Sequence, residues 1–385
     1  MQALNKPEDN EAVETVLTDL RRTDILIIHG KLGTGVSITG KNAIKSFANS
    51  NAGWKPQHLH YRDNIEPSLT DRKIVFIDGW FGLWNRNPSE EKTVIKVLKI
   101  IKQKMSCIEI CKIVIGLRTD IYHRYQKIFT DAGIVEDPLD LNSTRKDNHQ
   151  EKEKHLNDAL LSKACNQSNC ECKILNWEDL RNYSDIGDHL KIDILAGDHD
   201  LISKFRRSKN LLQTLVSHFD ELRTKDKKLY GCLMYIVVKG KYKVGEDIDQ
   251  RIKKMFHFEV TKRCFRQCEN LGKYTKCLSR SNLVNVEDEP GDSNKPYFVF
   301  KHVFLYICAF HCLFRLHPNQ VMEHCNIDAV LQIVRPSNSI DEIFCVKAKN
   351  ETTTSFYKHV VKCNQKVEES INDHPLVVFA VGSSV

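Results

Sequence analysis

The chain has 385 residues, 41 % of them apolar, enough for two or three domains with ordinary hydrophobic cores. Lys and Arg outnumber Asp and Glu by 57 to 50, and this surplus of 7 is spread along the chain, so no basic tail or basic helix marks nucleic acid as a partner. The opening MQALNKPEDNEAVE lacks the apolar stretch of a secretory signal, and the longest apolar run, Val303 to Phe310 and on to Phe314 past His311, is too short to span a bilayer. With 14 cysteines outside any small-domain disulfide spacing, the expectation is a cytoplasmic chain with reduced thiols and no membrane contact.

Residues 11 to 22 carry apolar side chains at helical spacing and lead into a short apolar strand, Ile25 to Ile28. A glycine-rich stretch follows, then a helix to about Ala48, whose start the interior Gly40 is expected to delay. Two more apolar runs, Ile74 to Ile77 and Ile113 to Leu117, flank the helical pattern Glu91 to Lys104 and lead to Asp78 and to Arg118 with Asp120. Strands alternating with helices predict an α/β fold, a parallel sheet covered on both faces. From about residue 137 that alternation stops. Helical segments are expected at 148–163, 201–205, 211–222 and 230–238, a linker at 285–296, and then a strand or extended entry into a buried helix that ends before Pro318.

The stretch Gly30-Lys31-Leu32-Gly33-Thr34-Gly35-Val36-Ser37 follows its strand directly and fits G-x-x-x-x-G-K-[ST] except that Val36 stands at the lysine. Glycines there let successive backbone amides face phosphate oxygens, and the next helix adds its positive end. Losing the lysine's charge-assisted hydrogen bond weakens binding by about 1.5 to 3 kcal/mol without abolishing it. Lys31 and Lys41 are candidate substitutes, and a second frame, Gly35 to Asn42, restores a lysine but separates the motif from its strand. Asp78, closing a buried strand, suits Mg²⁺ together with Ser37, while Gly79 stands where a hydrolytic site often has a second acid. Arg118 ends the third strand, at the sheet edge where ligands bind in open α/β folds.

Together GKLGTGVS, IDGWFG and GLRTDIY, with the helix from Glu151 after DPLDLN and the stretch FRRSKNLLQTLVSHFDEL before LYGCLMYIVV, resemble the STAND class of P-loop NTPases, in particular novel STAND NTPase 3, over residues 10 to 325. The resemblance implies a P-loop NTPase core, a helical domain and a winged-helix-like C-terminal region, with boundaries near 22, 147 and 255. It also implies a signalling switch that binds ATP or ADP with Mg²⁺ and works through protein partners or self-association, in settings such as innate defence. The cofactor-binding set is then Gly30, Lys31, Gly33, Thr34, Gly35, Val36, Ser37 and Lys41, the metal set Ser37 and Asp78, and the catalytic candidate Arg118. Where the family has Gly-x-Pro near the adenine this chain reads Gly187-Asp188-His189. With Val36 and Gly79, that departure predicts at most a slow or degenerate ATPase and keeps open a second reading, a nucleotide-free pseudo-NTPase scaffold.

Cys165, Cys170 and Cys172 could offer three thiolates to zinc but lack an evident fourth ligand. Cys107 with Cys111, Cys264 with Cys268 and Cys277, and Cys308 with Cys312 read as small buried residues at helical spacing, and His311 as a core histidine.

Overall fold

The computed structural model describes residues 7–108, 110–134, 137–144, 149–162, 170–181, 185–265, 283–287, 296–353, 355–356, 371 and 374–382. Cys165, Cys268, Cys277 and most of the expected linker lie outside them. The chain divides into two compact units, Met1–Gly82 with Glu90–Ala196 and Leu83–Ser89 with Gly197–Val385. Among the described residues no helix is long and apolar enough to cross a membrane.

The first unit is built on five parallel strands, β1 (Ile25–Gly30), β2 (Lys55–His60), β3 (Lys73–Asp78), β4 (Cys111–Arg118) and β5 (Leu139–Asp140), in the order β2-β3-β4-β1-β5. Its helices are α1 (Pro7–Leu20), α2 (Val36–Ser50), α3 (Glu91–Met105), α4 (Thr119–Asp131), α5 (Leu141–Thr144), α6 (His149–Ser162), α7 (Trp177–Arg181) and α8 (Asp188–Gly197). Strand alternation divides the core. Leu26, Ile28, Ile74, Phe76 and Val114 meet α1 and α2 on one face, while Ile27, Val75, Ile77, Ile113, Ile115 and Leu117 meet α3 and α4 on the other. Helix α3 buries Val94, Val97, Leu98 and Ile101, the spacing that puts one stripe against the sheet.

Gly40 does not delay α2, which begins at Val36 and runs through it. A Cβ on Gly40 would stand 2.3 Å from the Phe76 ring, and one on Gly116 of β4 would stand 2.8 Å from it. The two bare backbones form the slot that admits the Phe76 ring between helix and sheet. With Gly40 and Lys41 inside a helix, the alternative frame has no loop at its second glycine.

The second unit is mainly helical, with α9 (His199–Ser208), α10 (Leu211–Lys225), α11 (Lys227–Lys239), α12 (Gln250–Met255), α13 (Val303–Leu316), α14 (Pro318–His324) and α15 (Ile327–Ile333). An antiparallel sheet joins β6 (Tyr242–Lys243), β8 (Tyr297–Phe300) and β7 (Val284–Glu287), and β9 (Val334–Pro336) pairs in parallel with β10 (Val346–Ala348). Strand β8 leads into the buried α13, as its sequence predicts. His311 in α13 contacts the Phe344 carbonyl at 3.2 Å, and burial holds its pKa down, as a core histidine requires. Residues 83–89 are embedded here. Trp84 stacks on Tyr306, the Trp84 and Asn85 amides donate to the Gln332 side chain at 2.7 and 3.2 Å, and the Arg86 carbonyl accepts from the buried Arg335. The paired reading of Cys107 and Cys111 needs correction, because Cys107 is exposed in the turn after α3 while buried Cys111 opens β4.

Candidate functional site

The loop after β1 curls at the C-terminal edge of the sheet. Gly33 and Gly35 take φ of 86° and 93°, values that favour glycine, and the Thr34 amide turns back to the Lys31 carbonyl at 2.9 Å. Gly35 caps α2 without a side-chain bond, so the first helical amides rely on other acceptors. Among the described residues nothing accepts from the amides of Gly35, Val36 and Ser37. A helix N-terminus with free amides behind a left-handed glycine is an electropositive cup for an anion.

Two neighbours hold the outside of this loop. Asn142, in the first turn of α5, accepts the Lys31 amide at 3.1 Å and the Thr34 hydroxyl at 3.2 Å through one oxygen. Its amide group donates to Asp140 at 2.6 Å and to Thr119 at 3.1 Å, and His29 lies 3.2 Å from the same Thr119 hydroxyl. Burial lowers the His29 pKa, and its neutral ring stacks on Tyr122. On the other flank the Gly187 amide donates to the Leu32 carbonyl at 2.7 Å. A Cβ on Gly187 would lie 2.6 Å from the Gly33 carbonyl carbon and the Thr34 nitrogen, so only glycine allows this approach.

Val36 occupies the lysine position as packing. Its γ-methyls come to 3.0 and 3.1 Å of the points where Cβ atoms on Gly30 and Gly116 would stand, over the bare ends of β1 and β4. Of the two candidate substitutes, Lys31 is exposed on the loop; its charge adds to burial in lowering the pKa of Lys191 in α8. Lys191 is itself buried, donating to Asp188 at 3.0 Å and to the Leu180 carbonyl at 3.2 Å. Lys41 lies on the β2 side of α2, where its charge reinforces the effect of burial on the His58 pKa. The Thr34 side chain is buried and Ser37 is partly exposed in the first turn of α2.

Asp78 ends β3 with one oxygen accepting the Gly79 amide at 2.8 Å and the other 4.0 Å from His58 Nε2. Gly79 has φ of 80°, and a Cβ there would lie 2.1 Å from His60 Nε2, so the backbone and the imidazole together exclude a second acid. His60, its pKa lowered by burial and then by Arg62, takes that space as a neutral ring. Arg118 pairs in register with Gly30, and its guanidinium forms two bonds to Asp120, at 3.0 and 2.6 Å.

The arrangement gathers Gly30 to Ser37, Asp78 and Arg118 along one sheet edge, with β4 between β1 and β3. Its amides and helix end suit phosphate oxygens, and Asp78, like Asp120 and Asp140, puts a carboxylate at this edge of the sheet. Val36 stands at the position of the usual cation and Gly79 at that of a water-polarising acid. Sequence reasoning missed Asn142, Thr119 and His29 as supports of the loop. Asn142 lay in DPLDLN and Thr119 in GLRTDIY, but nothing local marks them as partners, because the pairing is set by the β1–β5 and β1–β4 registers. Cys170 Sγ accepts the Cys172 amide at 3.5 Å within a short turn. No family model matches this sequence, and no curated protein does.

Proposed function

We propose that the chain is a nucleotide-binding switch of the STAND kind, holding the phosphates of ATP or ADP at the α2 N-terminus with Mg²⁺ at Ser37 and Asp78, and turning them over slowly or not at all. The observation that carries this reading is the set of unpartnered amides at Gly35, Val36 and Ser37, inside a curled loop at the carboxyl edge of a parallel sheet. Bound Mg²⁺ would neutralise phosphate charge there. The switch would act cytoplasmically, through protein partners or self-association in a signalling setting such as innate defence, with the mainly helical second unit as its helical and winged-helix-like output. Titrating purified protein with fluorescent ATP and ADP, with and without Mg²⁺, tests the reading: saturable binding is expected, and no binding at millimolar nucleotide would refute it.

A nucleotide-free scaffold is the second reading, favoured by Val36 packing over β1 and β4 and by His60 filling the space beside Gly79. It requires that Mg-ATP leave the thermal midpoint unchanged, so a rise of several degrees would remove it.

A further inference from the structure

We propose that Asn142 is the positioning residue of the phosphate loop, holding it in its anion-accepting shape before any ligand arrives. This rests on the nucleotide reading above for its purpose but not for its geometry. One side-chain oxygen bonds two loop groups, the Lys31 amide and the Thr34 hydroxyl, at 3.1 and 3.2 Å, and neither of these is one of the free amides of residues 35 to 37. The Asn142 side chain cannot swing away cheaply. Its nitrogen is committed to Asp140 and Thr119, its own backbone amide donates to Asp140 at 2.9 Å, and Thr119 meets the buried, stacked His29. All four bonding positions of this carboxamide are therefore used, two toward the loop and two toward the sheet edge.

This explains how a site without its lysine could retain a useful affinity. A flexible glycine loop must lose conformational freedom on binding, and a loop already fixed in the bound shape loses less. Asn142 supplies that order from one flank and Gly187 from the other, where its amide bonds Leu32. Asp140 keeps the carboxamide oriented, because its carboxylate can only accept and so faces the Asn142 nitrogen, leaving the oxygen of Asn142 to face the loop.

The test is hydrogen exchange on the full chain without nucleotide, read peptide by peptide, with fluorescent ADP affinity as a second measurement. In Asn142→Ala, the hydrogen-bonded amides of Lys31 and Thr34, read in overlapping peptides that begin before residue 29, should exchange on the order of tenfold faster and ADP should bind roughly tenfold more weakly, the loss of one to two hydrogen bonds. Asn142→Asp puts a second carboxylate oxygen where the carboxamide nitrogen lies 2.6 Å from Asp140, so repulsion should drive the side chain off the loop and protection should fall as in Asn142→Ala. Thr34→Val removes one bond from the loop side and leaves the β5–α5 turn untouched, which keeps the test valid if Asn142→Ala fails to fold. Faster exchange confined to residues 139–144, with 31–37 unchanged in all three variants, would show a purely local role and overturn the proposal. If the wild type binds no ADP yet the loop loses protection as expected, the nucleotide reading fails and the positioning role stands.

Discussion

Replacing Val36 with lysine restores the one cation that the loop lacks, and the structure sets the size of the effect. The valine methyls lie over Gly30 and Gly116, leaving bare backbone along which an aliphatic stem can run with its charged head beyond. The exchange adds methylenes where the valine methyls already pack, so the fold should lose about 1 to 3 kcal/mol. A charge-assisted hydrogen bond to phosphate contributes about 1.5 to 3 kcal/mol, which converts to roughly 10- to 150-fold tighter binding. The assay is a fluorescence titration of wild type and Val36→Lys with labelled ADP and ATP, with circular dichroism and a thermal midpoint to confirm folding. A folded variant whose affinity stays within threefold of wild type would refute the placement of phosphate at this loop. A gain equal for inorganic sulfate and nucleotide would instead limit the site to simple anions.

Gly40→Ala should destabilise the first unit by about 1 to 2 kcal/mol in urea unfolding, although alanine is the better helix former by about 1 kcal/mol, because its Cβ would meet the Phe76 ring; a stabilised variant would contradict the Phe76 slot. Gly79→Glu should neither create ATP turnover nor fold well, since φ of 80° and His60 both oppose it, and phosphate release above background would disprove that argument. In the second unit, His374 is fully buried and its Nε2 faces the Leu331 carbonyl at 2.8 Å, with burial and then Arg335 lowering its pKa from 6.5 to about 3. A depressed histidine means that the unfolded chain binds the extra proton. Stability is therefore full above pH 6.5 and falls as pH drops toward 3, by at most about 4 to 5 kcal/mol. Urea unfolding between pH 8 and 4 should show this slope in wild type and a flatter one in His374→Gln.

Strands β1, β3 and β4 were legible because each is an unbroken apolar run, as expected for strands buried on both faces. The other two strands were not. In KPQHLH of β2 only Leu59 is buried, and Pro56 is tolerated because the strand lies at the sheet edge; β5 has just two residues. The loop and the acid could be placed from sequence because each follows its own strand, whereas the pairing of Arg118 with Asp120 weakens the role expected for that arginine. Residues 83–89 gave no signal at all. Their ties to Gln332 and Arg335 join positions nearly 250 apart in sequence, and no local pattern encodes that.

The two departures from a hydrolytic site differ in kind, and this bears on the choice between a slow ATPase and a nucleotide holder. Val36 is reversible in principle, because the surface beneath it is backbone and a lysine stem can lie there. Gly79 is locked, since a side chain at that position must both adopt a left-handed backbone and displace His60, which the chain packs beside Asp78 at the end of β2. On the proposed reading, an anion cup whose water-polarising position is closed by the fold would keep its ligand intact. Under that proposal occupancy, not turnover, would be the signal. Substitutions at Asn142 or Gly187 should then change how long nucleotide stays bound, while leaving any residual hydrolysis rate of bound ATP unaltered in single-turnover measurements.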